Sequence, residues 1–214
     1  MKSISAAVRH LKRADPVMRR LIERLGPCRL GQECDPDEFG TLVDAIIYQQ
    51  LAYKAAQSIS RRFQALYESR SSPGGRLPQP AELLRTPRRK LRSAGLSRQK
   101  IAYLRDLAKN AAAGRLALGQ FSKMGDAEVI ENVTQVKGIG RWTAEMFLIF
   151  CLARPDVLPV DDLGMQYGFC DAYGLRRLPS EKLMLATAEP WRPYRTVGTW
   201  YLWKLRRVNT NADR

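Results

Sequence analysis

Apolar residues along this chain of 214 recur at three- and four-residue spacing, and no segment alternates apolar with polar long enough to form a strand. That periodicity predicts an all-α fold. The helix-start signals agree with it. Asp15-Pro16 puts a capping side chain before a proline at the first helical position, ahead of Val17, Leu21, Ile22 and Leu25. Asp35-Pro36 repeats the signal ahead of Phe39, Leu42, Val43, Ile46 and Ile47. A break near Leu51 and Tyr53 then leads into a helix with Ala55, Ile59, Phe63 and Leu66 on its apolar face. Ser97 predicts a cap for a helix burying Ile101, Leu104, Leu107 and Ala111, and Asp126 predicts one for Val129, Ile130 and Val133. Pro179-Ser180 and Pro193 open two more, and residues 71–80 are the clearest loop.

Charge narrows the function. Lys plus Arg number 36 and Asp plus Glu 21, a net of 36 − 21 = +15. A field of that sign favours a polyanion, because each neutralised phosphate releases condensed counterions. The charge is spread through folded segments, which points to nucleic acid and away from a membrane surface. The longest apolar stretch, 146–153, is too short to span a bilayer, and residues 1–13 are mixed and basic with no secretory apolar region. His10 is the only histidine, so a zinc hydrolase or a serine–histidine triad has no ligands or base to use. Cys28, Cys34, Cys151 and Cys170 lack C-x-x-C spacing, and Cys151 in its apolar run reads as core. Free thiols suit the reducing cytoplasm.

Two segments carry chemistry. In Lys137-Gly138-Ile139-Gly140-Arg141-Trp142-Thr143-Ala144, two glycines one residue apart interrupt a helical pattern. Glycine permits positive φ and uncovered amides, and the following helix presents its positive end, which together make an anion site. A plain helix–helix turn would use the same residues. In Pro159-Val160-Asp161-Asp162-Leu163-Gly164, an Asp reads most simply as a helix cap, although two adjacent carboxylates exceed what one cap needs. Trp191, Tyr194, Trp200, Tyr201 and Trp203 crowd one region, where core packing explains most of them.

Together, the hairpin and the Asp loop at this spacing resemble the helix-hairpin-helix (HhH-GPD) superfamily of DNA glycosylases, of the DNA-3-methyladenine glycosylase II type. The resemblance runs from about Phe39 to Trp203, and it includes Ala94-Gly95-Leu96-Ser97 and Glu189-Pro190-Trp191-Arg192-Pro193-Tyr194-Arg195. Val136-Lys137 stands where the family often has Leu-Pro, so one lysine charge replaces proline's stiffness. Only 38 residues precede Phe39, so the compact form without the larger members' extra N-terminal domain is the expectation.

The resemblance implies two helical lobes, 38–144 with the hairpin and 1–37 plus 145–214 with the Asp loop, and a cleft for DNA and base between them. It implies a monofunctional glycosylase of base excision repair that flips out an alkylated base and hydrolyses the N-glycosidic bond with Asp162. It assigns Trp142, Trp203, Tyr48 and Asp161 to the base pocket. Gln49, Gln50 and Leu51 form the tip that fills the gap left by the flipped nucleotide, with Gln50 or Leu51 as the wedge. Lys137, Gly138, Ile139, Gly140, Arg141 and Thr143 bind phosphate. The carbonyls of Thr134, Val136 and Ile139 hold a monovalent cation. Relatives that also cut the backbone use a lysine where Trp142 stands, so no lyase step is expected. No cofactor is required, and no cysteine follows Cys170 to complete an iron–sulfur loop. The expected partner is damaged double-stranded DNA, met by a monomer in the cytoplasm, at the nucleoid if the source is bacterial, with no membrane. Two other readings stay open: a non-catalytic helix-hairpin-helix DNA-binding protein, and a glycosylase for ethenoadenine or hypoxanthine.

Overall fold

The computed structural model describes residues 4–31, 37–68 and 74–212. Cys34, Asp35-Pro36 and residues 71–73 of the expected loop lie outside them. Among the described residues there are twelve α-helices and no strand. They are α1 (Ile4–Ala14), α2 (Pro16–Leu25), α3 (Glu38–Tyr48), α4 (Tyr53–Ala65), α5 (Pro80–Arg85), α6 (Arg88–Ser93), α7 (Arg98–Ala112), α8 (Asp126–Thr134), α9 (Arg141–Phe150), α10 (Leu163–Tyr173), α11 (Glu181–Ala188) and α12 (Arg195–Ala212). None is long and apolar enough to cross a membrane. Contacts divide the chain into two units, Met1–Cys34 with Leu148–Arg214, and Asp35–Phe147.

The first unit is organised by a buried carboxylate. Asp15 caps α2, its Oδ1 accepting from the Val17 N–H at 2.7 Å and the Met18 N–H at 3.3 Å. Its Oδ2 accepts from the Tyr173 hydroxyl at 2.5 Å and from Trp191 Nε1 at 2.9 Å. One side chain therefore ties α2 to the end of α10 and to the 3₁₀ turn carrying Trp191. Burial, together with the adjacent carboxylate, pushes the Tyr173 phenol far up, so it stays a proton donor. Trp191 is fully buried and stacks on Phe169 at 5.7 Å and 10°. A Cβ at Gly198 of α12 would stand 2.5 Å from the Trp191 ring, and one at Gly168 of α10 would stand 2.8 Å from the Leu202 carbonyl. These two glycines let α10 and α12 pack closely against their neighbours. Tyr201 and Leu202 complete that core, and His10 holds the Pro190 carbonyl at 2.9 Å.

The second unit packs α3 (Phe39, Leu42, Val43, Ile46 and Ile47 buried) on α7 (Ile101, Leu104, Leu107 and Ala108 buried). The helical spacing on α3 is what the sequence showed, and α7 follows it except that Ala108 is buried while Ala111, expected on that face, is half-buried. Asp37 caps α3, accepting from the Gly40 N–H at 2.9 Å. Other boundaries and faces differ from expectation. On α4 the buried face is Ala56, Ser60 and Phe63, while Ala55 is exposed and Ile59 only half-buried. Ser60 is a polar core residue satisfied by donating to Asp44 Oδ1 at 2.9 Å, which an apolar pattern does not register. Helix α8 starts at Asp126 behind Gly125, whose N–H donates to Glu128 at 2.6 Å, so Asp126 is the first residue and not the cap. Helix α12 starts at Arg195, two residues beyond Pro193.

Asp15→Asn keeps the shape but turns one oxygen into an NH₂ that must face N–H or O–H donors whichever way the amide lies. We expect a loss of about 3 kcal/mol in urea denaturation, with the near-ultraviolet signal of Trp191 altered in the folded protein.

Candidate nucleic-acid interface and candidate catalytic carboxylate

In the second unit the glycine turn joins α8 to α9. Gly138 sits at φ +86°, and a Cβ there would fall 2.2 Å from the Tyr103 ring. The chain itself therefore demands glycine at 138. Gly140 has no such demand: a Cβ there would meet nothing within 4 Å. Ile139, between them, is buried and donates its N–H to the Val136 carbonyl at 3.1 Å. What this turn leaves exposed is backbone around Gly138 and Gly140, followed by the first turn of α9, whose amides have no partner within the helix. Lys137 and Arg141 flank it on the surface, Arg141 also reaching Glu145 at 3.0 Å. Thr143 is buried, so it and Ile139 offer main chain, not side chain, to a ligand. Of the three carbonyls expected to hold a cation, that of Val136 already accepts from Ile139 and keeps a second lone pair.

Helix α7 braces this turn. Asp106 Oδ2 accepts from the Lys137 N–H at 2.9 Å, and the Tyr103 ring lies against Gly138. One turn earlier, Lys100 Nζ donates to the carbonyls of Ile46 (3.0 Å), Ile47 and Gln49 (2.8 Å) at the end of α3. Burial pulls the Lys100 amine below the ordinary lysine value. Gln49 then donates Nε2 to the Gly138 carbonyl at 2.8 Å. The expected gap-filling tip and the hairpin are thus bonded to each other and to one helix. Gln50 is exposed at φ +57°, an unusual conformation for a non-glycine residue, and Leu51 beside it is exposed by 38%. Tyr48 is half-buried with its ring 5.9 Å from that of Tyr53, and desolvation raises its phenol. Trp142, at the second position of α9, is exposed by 45%, large for a tryptophan.

In the first unit Asp162 caps α10. Its Oδ1 accepts from the Met165 N–H at 2.6 Å and from Trp203 Nε1 at 2.7 Å. Asp161 is exposed and takes no part in the cap. A Cβ at Gly164 would lie 3.1 Å from Asp162 Oδ1 and 3.4 Å from the Trp203 ring, so glycine there leaves room for the indole to reach the carboxylate. Trp203 is stacked on Phe150 at 5.8 Å and 16°. Both rings, with Trp200, Lys204 and Arg207, line a concavity of about 510 Å³.

The loop that delivers Asp162 is pinned by residues whose roles the sequence did not disclose. Asp156 accepts from Arg195 Nε at 2.8 Å and from Arg192 at 2.7 Å. Thr196, fully buried, donates its hydroxyl to the Arg154 carbonyl at 2.7 Å and accepts from the Val157 N–H at 2.8 Å. The one available signal was chemical: an Asp in the loop and two arginines in the segment 189–195 could pair, but nothing in their spacing, about forty residues, said that they do.

Residues 43–193 match the model of the HhH-GPD superfamily of base excision DNA repair proteins. The chain is 35% identical over 204 residues to DNA-3-methyladenine glycosylase 1 of Schizosaccharomyces pombe, covering 94% of this chain and 87% of that protein. The solved structure of the S. pombe 3-methyladenine DNA glycosylase (Mag1) in complex with abasic DNA superposes with a TM-score of 0.80 at 34% identity, over 93% of this chain and 95% of that one. A DNA-3-methyladenine glycosidase from Bacillus halodurans gives a TM-score of 0.85 at 37% identity, over 96% and 91%.

The two hairpin glycines separate in a simple experiment. Gly138→Ala forces a ring clash and a strained φ, and should lose about 2 kcal/mol or more on denaturation. Gly140→Ala should leave stability within about 0.5 kcal/mol and still weaken binding to duplex DNA, because its Cβ meets only what approaches from outside. Equal DNA affinity for Gly140→Ala and wild type would show that no ligand closes on that backbone. Trp203→Phe keeps a ring but removes the indole N–H. It should slow any reaction that uses Asp162 by roughly tenfold while leaving DNA affinity in place, both read on the same purified protein.

Proposed function

The chain belongs to the HhH-GPD superfamily of base excision DNA repair proteins, and we propose that it is a monofunctional DNA glycosylase that extrudes 3-methyladenine-type alkylated bases from double-stranded DNA and hydrolyses the N-glycosidic bond with Asp162. The observation that carries this reading is the fixed carboxylate. Two N–H groups, from Met165 and Trp203, aim the Asp162 side chain at the N-terminus of α10.

In the reaction the bond between C1′ and the base nitrogen breaks, and its electron pair leaves with the base. A methylated purine is cationic before it departs and neutral afterwards, so it leaves without an added proton. Positive charge grows on C1′ and the ring oxygen of the sugar. A held carboxylate lowers the energy of that charge, and can take the proton of the water that adds to C1′. The products are the free base and an abasic site. The extruded base needs aromatic faces, and a cationic purine gains a cation–π term over a normal one. Trp203, bonded to Asp162 and stacked on Phe150, is the candidate for such a face, and Trp142, Tyr48 and Asp161 are the further base-contacting residues of this reading, Tyr48 restricting which lesions enter. Trp142 in place of a lysine supports the absence of a Schiff-base step.

DNA is held by the amides of the hairpin, with Lys137 and Arg141 adding charge and Gln49, Gln50 and Leu51 entering the vacated stack. The carbonyls of Thr134, Val136 and Ile139 would hold a monovalent cation, whose chemistry there is to add one positive charge beside the phosphate. The protein works as a cytoplasmic monomer, since one hairpin and one carboxylate serve one lesion.

The decisive comparison is free-base release from methylated duplex DNA by wild type and by Asp162→Asn. Wild type should release 3-methyladenine. The variant should bind the same DNA and turn over at least about 10²-fold more slowly. Borohydride should trap no covalent adduct with either. DNA binding without release of any base by wild type, ethenoadenine and hypoxanthine included, would favour a non-catalytic DNA-binding protein, and a trapped adduct would restore the lyase step.

A further inference from the structure

Helix α3 ends in an uncommon way. The last carbonyls of a helix lack intrahelical donors, and the usual remedy is a glycine in the left-handed region whose amide turns back on them. Here the left-handed residue is Gln50, which pays a steric penalty that glycine would avoid. The donor that meets the carbonyls comes from elsewhere: Lys100 on α7, whose ammonium gives its three N–H groups to Ile46, Ile47 and Gln49. This accounts for all the hydrogen-bonding capacity of the ammonium in backbone carbonyls of one turn. The next residues along the chain are Gln50 and Leu51.

The turn is also held from its far side, by the Gln49 amide on the Gly138 carbonyl at 2.8 Å. Removal of the ammonium leaves three carbonyls unmet in a partly buried place and takes away one of the two tethers on the turn that leads into Gln50. The loop would then move as a unit, while the hairpin keeps its own brace through Asp106 and Tyr103.

We propose that Lys100 is a positioning residue for base extrusion: it holds Gln49-Gln50-Leu51 in the one conformation that can occupy the space of a flipped nucleotide. The inference rests on the glycosylase reading above. It differs from a purely structural role because it acts on the step whose cost depends on the base pair. Extrusion costs most from a well-paired duplex and least where the base is already unpaired.

The test is single-turnover release of 7-methylguanine from two oligonucleotide duplexes, one with the lesion paired to cytosine and one with it in a single-nucleotide bulge. Wild type sets the paired-to-bulged rate ratio. Lys100→Met, which keeps the apolar stem, should lower that ratio about tenfold, and Lys100→Arg, which restores a cation with several donors, should recover part of it. Lys100→Gln carries the same comparison if the Met variant does not fold. An unchanged ratio, whether both rates fall together or neither falls, overturns the proposal and leaves Lys100 a stabilising contact or less. Release from neither duplex by a wild type that still frees 3-methyladenine from methylated DNA overturns this inference alone, whereas release of no base from any of these DNAs takes down the glycosylase reading and this inference with it.

Discussion

A carboxylate taken out of water must be surrounded by donors, and in the unit carrying Asp162 that requirement is met at Asp15. Four N–H and O–H groups from α2, α10 and the Trp191 turn converge on it. The far end of α10 is therefore fixed through Tyr173, and Trp191 is fixed beneath Gly198 of α12. Those are the two helices that bring together Asp162, the cap of α10, and Trp203 of α12, which meet at 2.7 Å. The precision of the second contact is inherited from the first, because neither Asp162 nor Trp203 can be placed better than the helices that bear them. The Asp156–Arg195 pair and Thr196 do the same for the loop between α9 and α10.

The parts of this arrangement legible in the sequence are those written in consecutive residues. Asp15 ahead of Pro16, Ser97, and Ser180 ahead of Glu181 announce helices because a cap is a local interaction. The periodicity of α3 and α7 is local too. The hairpin glycines declared a turn, yet the reason glycine is needed at 138 lies in Tyr103, thirty-five residues earlier. Lys100 carries no signal in the sequence, since nothing nearby marks three carbonyls fifty residues away as its partners. On α4 the apolar pattern chose Ile59 for the core where the fold buries Ser60, because a hydroxyl satisfied by Asp44 behaves as a core group only once its partner is known. Asp162 shows a related ambiguity. A capping Asp and a catalytic Asp look alike in sequence, and here the cap is real: the bond to Met165 holds the carboxylate in one orientation.

The chain's charge and its candidate carboxylate pull in opposite directions, and the conflict clarifies what each is for. A net charge of +15 draws in a polyanion but opposes any step in which positive charge develops on the ligand. Phosphate binding removes much of that opposition, since each contact neutralises a cation of the protein. What remains close to a bound sugar must then be a negative charge that is not itself paired off by a neighbouring lysine or arginine. Two of the bonds that orient Asp162 come from a backbone amide and an indole, both neutral donors. A neutral donor fixes the direction of a carboxylate without bringing a compensating charge of its own, whereas a guanidinium such as Arg195 on Asp156 brings one. The same chain thus holds two loop carboxylates six residues apart on different kinds of donor, Asp156 on the guanidiniums of Arg192 and Arg195 and Asp162 on the Met165 amide and the Trp203 indole.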